Sequence, residues 1–109
     1  MFCVLYKFTV KPGSDDEFHQ HWLDVTEWYY RHAGSLGSRL HRARTGEYIA
    51  YAQWASRAEW EKQRDISDAD LQTHRQAMRA CCRAVEVLYE LDVTDDWLRR
   101  ALYSIHEQD

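Results

Sequence analysis

The sequence predicts an α+β fold, a four-stranded antiparallel sheet with helices packed on one side. Three observations lead there. Strand-type and helix-type periodicities alternate in the order β-α-β-β-α-β, a TGE turn joins the middle two strands into a hairpin, and 109 residues suit one domain with a modest core. The second helical region comes in two pieces. One proline, no repeat and no low-complexity segment leave nothing that would divide the chain.

FCVLYKFTV, residues 2–10, reads as the first strand, because Phe2, Val4, Tyr6, Phe8 and Val10 alternate and the KPG turn at 11–13 ends it. A helix then starts at a capping box, Ser14 with Glu17, and carries Phe18, Trp22, Val25 and Tyr29 on one face; His32 and Gly34 close it. LGSRLHRAR (36–44) and YIAYAQW (48–54) form the hairpin. Ser56 with Glu59 is a second capping box, which puts Trp60 on the helix that follows Trp54. A cap at Ser67 introduces a longer helix with Leu71, His74, Met78 and Cys81 or Cys82 along one stripe. VEVLYELDV (85–93) is the fourth strand, so residues 1–93 make the ferredoxin-like, split βαβ domain. Residues 94–109 read as a C-terminal helical extension with Trp97 or Leu98, Ala101, Leu102 and Ile105 inward.

Composition excludes several function classes. Fourteen basic and eighteen acidic residues are interspersed, for a net charge of −4, which argues against a nucleic-acid footprint. No apolar run approaches the ~18 residues of a membrane span, and MFCVLYKFTV lacks the pattern of a signal peptide, so the expected compartment is the cytoplasm. Cys3, Cys81 and Cys82 form neither a disulfide framework nor a metal-ligand spacing, and AGSLG lacks the spacing and the lysine of a phosphate loop. Neither a metal nor a nucleotide cofactor is expected.

Both faces of the sheet are apolar. The first strand offers Phe2, Val4, Tyr6 and Phe8 on one face and Cys3 and Leu5 on the other; the third offers Tyr48, Ala50, Ala52 and Trp54 against Ile49 and Tyr51. Something must cover the side without helices. A second copy presenting the same sheet would give a homodimer; the alternative is a monomer whose C-terminal helix folds over that face.

VKPGSDDEF (10–18), AGSLGSRLHRA (33–43) and, most specifically, YIAYAQWASRAEWE (48–61) resemble the antibiotic biosynthesis monooxygenase family over residues 1–93. The resemblance implies a dimeric α+β barrel. Activities in that family include cofactor-independent oxidation of anthrones or hydroquinones to quinones in aromatic polyketide pathways, quinol oxidation and haem degradation. The anthrone oxygenases line their cavity with a tryptophan that matches Trp54. Their tyrosine six residues later is matched by Trp60, which keeps a ring and an N–H donor without the acidic phenol. Their asparagine, which holds the substrate oxygen, is replaced by Ala50, whose methyl donates no hydrogen bond. The haem-degrading branch fits less closely: its first-strand asparagine falls at Tyr6, its cavity tryptophan at Gln63, and its proximal histidine at His74.

An ionised electron-rich phenol gives an electron to dioxygen without flavin or metal, so such a site must hold a flat ring, accept a proton and exclude water. Trp54, Trp60, Ala50 and Tyr51 are candidates for the slot, with Tyr6 as a phenol that needs a partner if buried. His74 is the leading candidate base, since its place between Leu71 and Met78 points the ring toward the sheet; His41 and His21 are the alternatives. Each has a plainer reading: core or interface packing for the tryptophans, a satisfied boundary residue for His74, polar surface for His21 and His41. The functional expectation is a cofactor-independent monooxygenase using dioxygen on a small aromatic molecule. A non-catalytic dimeric aromatic-ligand binder and a non-oxidative polyketide cyclase stay open beside it.

Overall fold

The computed structural model describes residues 1–99. The elements run β1 (Phe2–Val10), α1 (Asp15–His32), β2 (Gly37–Arg44), β3 (Glu47–Trp54), α2 (Arg57–Lys62, continued by a 3₁₀ turn at Gln63–Asp65), α3 (Ala69–Ala80) and β4 (Cys82–Asp92). The sheet order is β2-β3-β1-β4 with every neighbouring pair antiparallel, which is the ferredoxin-like split βαβ topology.

The period-2 alternation of β1 sets the inner face. Phe2 pairs with Trp54, Val4 with Ala52, Tyr6 with Ala50 and Phe8 with Tyr48, and α1 and α3 pack over these residues through Phe18, Trp22, Val25, Leu71 and Met78. The interior forms two clusters. One gathers around Phe8, Phe18, Tyr48 and Leu71, the other around Phe2, Val4, Trp54 and Trp60, and Tyr6 and Tyr29 pack against both. The hairpin turn depends on Gly46 at φ +76°: its carbonyl accepts from Val10 N at 2.8 Å, and a Cβ there would press on the Val10 carbonyl at 3.3 Å.

The opposite face carries Leu5, Ile49 and Tyr51, half-buried, beside Leu91 and Tyr89, the last 62% exposed. Tyr51 Oη accepts from Cys3 Sγ at 2.9 Å. The outer face therefore carries an apolar patch, bordered by the Lys7–Glu47 ion pair. No described helix is long and apolar enough to cross a membrane. Residues 93–99 have no regular structure, with Trp97 fully exposed and Leu98 largely so; the rest of the expected C-terminal helix lies outside the described residues.

Several local expectations are corrected. Ser14 is the N-cap of α1 but makes no side-chain cap bond; Asp15, Asp16 and Glu17 supply negative charge to that helix end instead. Cys82 opens β4, three residues earlier than the sequence suggested. That strand holds 11 residues against 9 in β1, and bulges at the Leu5/Tyr6 and Thr9/Val10 steps absorb the excess. The cap of α3 is Asp68, whose Oδ1 accepts from Asp70 N at 2.9 Å and Leu71 N at 3.1 Å, one residue beyond the expected Ser67. Asp68→Ala is accordingly expected to cost about 1 kcal/mol in urea unfolding, with Ser67→Ala near neutral. Equal effects would return the cap to Ser67.

Candidate active site

A cavity of about 320 Å³ lies between the inner face of the sheet and the helices. Its floor is low because β3 sets two small residues, Ala50 and Ala52, between the large Tyr48 and Trp54. Tyr6 and Phe8 of β1 and Val85 and Val87 of β4 continue the floor; Trp22, Val25 and Tyr29 of α1 form one wall. Trp60 and Gln63 close one side from the α2 segment.

The polar tips of this aromatic lining are tied to one another. Trp60 Nε1 donates to Tyr6 Oη at 2.8 Å, and Tyr29 Oη donates to Gln63 Oε1 at 3.0 Å. The Tyr29 ring meets Trp54 edge-on at 5.9 Å, and Phe2 packs at 5.7 Å from Trp60. One tip is left over. Trp54 is 4% exposed and lines the cavity, and its Nε1 has no hydrogen-bond partner among the described residues. A buried indole N–H without a protein partner is costly unless a ligand or water oxygen accepts from it.

Arg64, Arg75 and Arg79 also line the cavity. The Arg64 guanidinium lies over the Trp60 ring at 5.2 Å. Burial raises the Tyr6 pKa above its ordinary value, against the lowering effect of the Trp60 hydrogen bond and, more weakly, of Arg75 and Arg64. Burial likewise raises Tyr29, against Arg75 and Arg79. Both phenols are thus protonated at neutral pH. No histidine, carboxylate or lysine lines the cavity among the described residues. Burial, and then the neighbouring Cys81, push the Cys82 thiol up to about 11, so this pair is inert packing.

Of the residues singled out from sequence, Trp54, Trp60, Ala50 and Tyr6 meet in this cavity, and four others do not. Tyr51 points to the opposite face of the sheet, because one step along a strand reverses the side chain, and it pairs with Leu5 and bonds Cys3. His41 is exposed on β2, its Nδ1 3.1 Å from Ile49 O. His21 and His74 stand at the edge between α1 and α3, their Nδ1 atoms 3.8 Å and 3.9 Å from Asp24 Oδ2. The His74 ring, 36% exposed, does not point to the sheet as expected: the cavity face of α3 runs through Arg75, Met78 and Arg79, and one residue of helix turns a side chain about 100° away. Sequence reasoning missed Arg64, Arg75 and Arg79, and gave Tyr29 only a packing place. The signal for the α3 pair was their i, i+4 spacing beside Leu71 and Met78.

A split βαβ sheet roofed by two helices over an aromatic hollow defines a small α+β domain with a cavity between its layers. The chain belongs to the antibiotic biosynthesis monooxygenase family, whose profile matches residues 1–80. Tetracenomycin-F1 monooxygenase of Streptomyces glaucescens is 31% identical over 93 residues, which cover 84% of this chain and 81% of that one. Among solved structures, a mutant of SnoaB, a cofactor-independent oxygenase from Streptomyces nogalater, superimposes with a TM-score of 0.73 at 20% identity, covering 90% of this chain and 97% of its own. Rv0793 of Mycobacterium tuberculosis superimposes at 0.64 with 17% identity, covering 86% and 98%. These likenesses establish the shared fold.

The raised phenols have a measurable consequence. A tyrosine whose folded pKa exceeds the unfolded value near 10.0 contributes stability that is complete below that value and lost as pH rises through the folded pKa. Burial also raises Tyr48, which donates to Asp15 Oδ2 at 2.5 Å. Near-ultraviolet difference spectra on raising the pH are expected to show one late group of phenols ionising together with cooperative unfolding. Free titration of all seven tyrosines with circular dichroism unchanged would contradict it.

Proposed function

We propose that this protein is a cofactor-independent monooxygenase that oxidises an electron-rich aromatic polyketide-type phenol, such as an anthrone or hydroquinone, to a quinone with dioxygen as co-substrate. The observation that carries the reading is the unpartnered Nε1 of Trp54, a buried donor in an aromatic-walled cavity, in a chain related to Tetracenomycin-F1 monooxygenase. For an anthrone methylene the reaction balances without an external reductant. The ionised ring gives an electron to dioxygen, the radical pair closes a C–O bond, and loss of water leaves the carbonyl. One oxygen atom enters the product and the other leaves as water.

Trp54 donates to the substrate oxygen, a task the alanine at position 50 does not perform. Tyr6 and Trp60, bonded to each other, form part of the slot's lining. Arg64, Arg75 and Arg79 favour the ionised phenol, and His74, off the cavity wall, is given no proton-transfer role. A cytoplasmic setting, which keeps Cys3, Cys81 and Cys82 reduced, is part of the reading.

A non-catalytic aromatic-ligand binder is the second reading, favoured by Ala50 on the cavity floor. Oxygen uptake with a diffusible anthrone, corrected for autoxidation, separates the two: tryptophan quenching without uptake supports the binder. If the oxygenase reading holds, Trp54→Phe is expected to lower kcat by about 10²-fold, with the melting temperature shifted by only a few degrees. Trp60→Phe, which strands the Tyr6 hydroxyl, is expected to cost about 1–3 kcal/mol of stability instead. Equal activity of Trp54→Phe and the unaltered protein, per folded molecule, would refute the donor role.

The working unit proposed is a homodimer whose sheets face each other across Leu5, Ile49, Tyr51, Tyr89 and Leu91, with residues 94–109 as an extension beyond the βαβ unit. Light scattering is expected to return twice the 13.1 kDa chain mass. A stable monomer would refute the pairing.

A further inference from the structure

The AGSLGS stretch at 33–38 links α1 to β2 and brings two hydroxyl groups to the cavity, those of Ser35 and Ser38. Thr26 of α1 supplies a third. The three lie on α1, on β2 and on the link between them, so they belong to the β2 side of the hollow, whereas Val85 and Val87 of β4 lie at the other edge of the sheet.

The link is pinned where it passes the cavity. Ser35 N donates to Tyr29 O at 3.3 Å and Leu36 N to Gln53 O at 2.9 Å, which sets Ser35 between the last turn of α1 and the residue before Trp54. Ser35 is buried, and its Oγ accepts from Gly37 N at 3.1 Å, an i, i+2 bond made where the chain turns through Gly37 at φ +112°. A serine hydroxyl that accepts in this way keeps its own hydrogen to give. Ser38 stands opposite Ala52 in the β2–β3 register, so the two side chains share the cavity face. Thr26 differs from Thr73, the threonine of α3. Thr73 Oγ1 donates to Ala69 O at 3.0 Å, one turn back along its own helix, and Thr26 makes no such bond. None of the three hydroxyls donates to a described residue. The Tyr29 hydroxyl of the same wall is already taken by Gln63.

We propose that this hydroxyl wall is a second recognition point for the substrate: Ser35, aided by Thr26 and Ser38, donates to a further oxygen carried on the ring system, so that the site selects polyoxygenated fused rings over rings with a single oxygen. This deepens the proposed function and rests on its reading of the cavity as a site for a flat phenol. Neutral hydroxyl donors suit a neutral carbonyl or phenol oxygen, and a donor fixed by its own bond to Gly37 meets that oxygen without first being ordered.

The test compares anthrone with 1,8-dihydroxyanthrone, both under nitrogen, by quenching of tryptophan fluorescence. Both probes carry the carbonyl that Trp54 would meet. The second adds one oxygen on each outer ring, so either orientation presents one to the wall. The unaltered protein is expected to bind the dihydroxy probe about tenfold more tightly, the effect of one or two neutral hydrogen bonds. In Ser35→Ala that preference is expected to fall to within about twofold, through lost affinity for the dihydroxy probe. Thr26→Val, which has the same shape without the hydroxyl and leaves the Gly37 bond intact, is expected to lower it about threefold. Equal affinity of the two probes for the unaltered protein overturns the hydroxyl wall and leaves the aromatic site standing. A full preference retained in both variants overturns the assignment to these residues; if Ser35→Ala fails to fold, retention in Thr26→Val alone does so. Failure of both probes to quench sinks the aromatic site and the wall together.

Discussion

A hollow inside so small a domain is the constraint on which the rest of the structure turns. Left dry and enclosed, about 320 Å³ would cost on the order of 8 kcal/mol at ~24 cal/mol per Å³, as much as the whole stability of an ordinary domain. The fold sustains it by building two packed clusters, one on each side, and spanning them with Tyr6 and Tyr29. The polar ends of those two rings are tied to Trp60, on α2, and to Gln63, in the 3₁₀ turn that continues it. The mouth, lined by arginines, meets solvent and relieves the rest of the cost.

β1 lies at the centre of the same arrangement. Its even-numbered residues form the cavity floor and the core, and Cys3 and Leu5, with Ile49 and Tyr51 of β3, form an apolar patch on the outer face, bordered by the Lys7–Glu47 ion pair. This much was legible from sequence, because strand periodicity is exact at two and each inner residue was large and apolar. The same parity explains the error at Tyr51. It stands one step from Ala50 and Ala52, close in sequence to the site and on the wrong side of the sheet.

Helical register was less legible, for a physical reason. Leu71 and Met78 define the inward stripe of α3, and both His74 and Arg75 fall within reach of it. An argument from polarity chooses histidine, since an arginine reads as surface. The tertiary structure chooses arginine: His74 sits near Asp24 at the α1 boundary, and Arg75, half-buried, lines the cavity. The cap of α3 was misplaced for a similar reason. Ser67 and Asp68 are both good cap residues, and only the backbone angles decide between neighbours; Asp68 has the extended conformation and the carboxylate oxygen in reach of two N–H groups. In β4 the bulges shift the alternation partway along, so the strand's early start at Cys82 was hidden.

The acid–base character of the cavity follows from these placements. Among the described residues the titratable groups on its wall are two phenols, whose pKa values burial raises, and three guanidinium groups. A wall of this kind has donors and positive charge but no proton acceptor. Under the proposed reaction, the phenolic proton must then leave to water, and the place where water and positive charge coincide is the mouth. An arginine near a phenol lowers its pKa by favouring the phenolate, and does so more effectively as the surroundings become less polar. Ionisation at the cationic mouth and electron transfer to dioxygen in the aromatic depth are separate tasks, which one flat substrate spanning both ends would join. Such a division relieves position 50 of its duty as a hydrogen-bond donor. Under that proposal the alanine there serves by being small, keeping the floor clear beneath a ring whose oxygen the indole of Trp54 would meet.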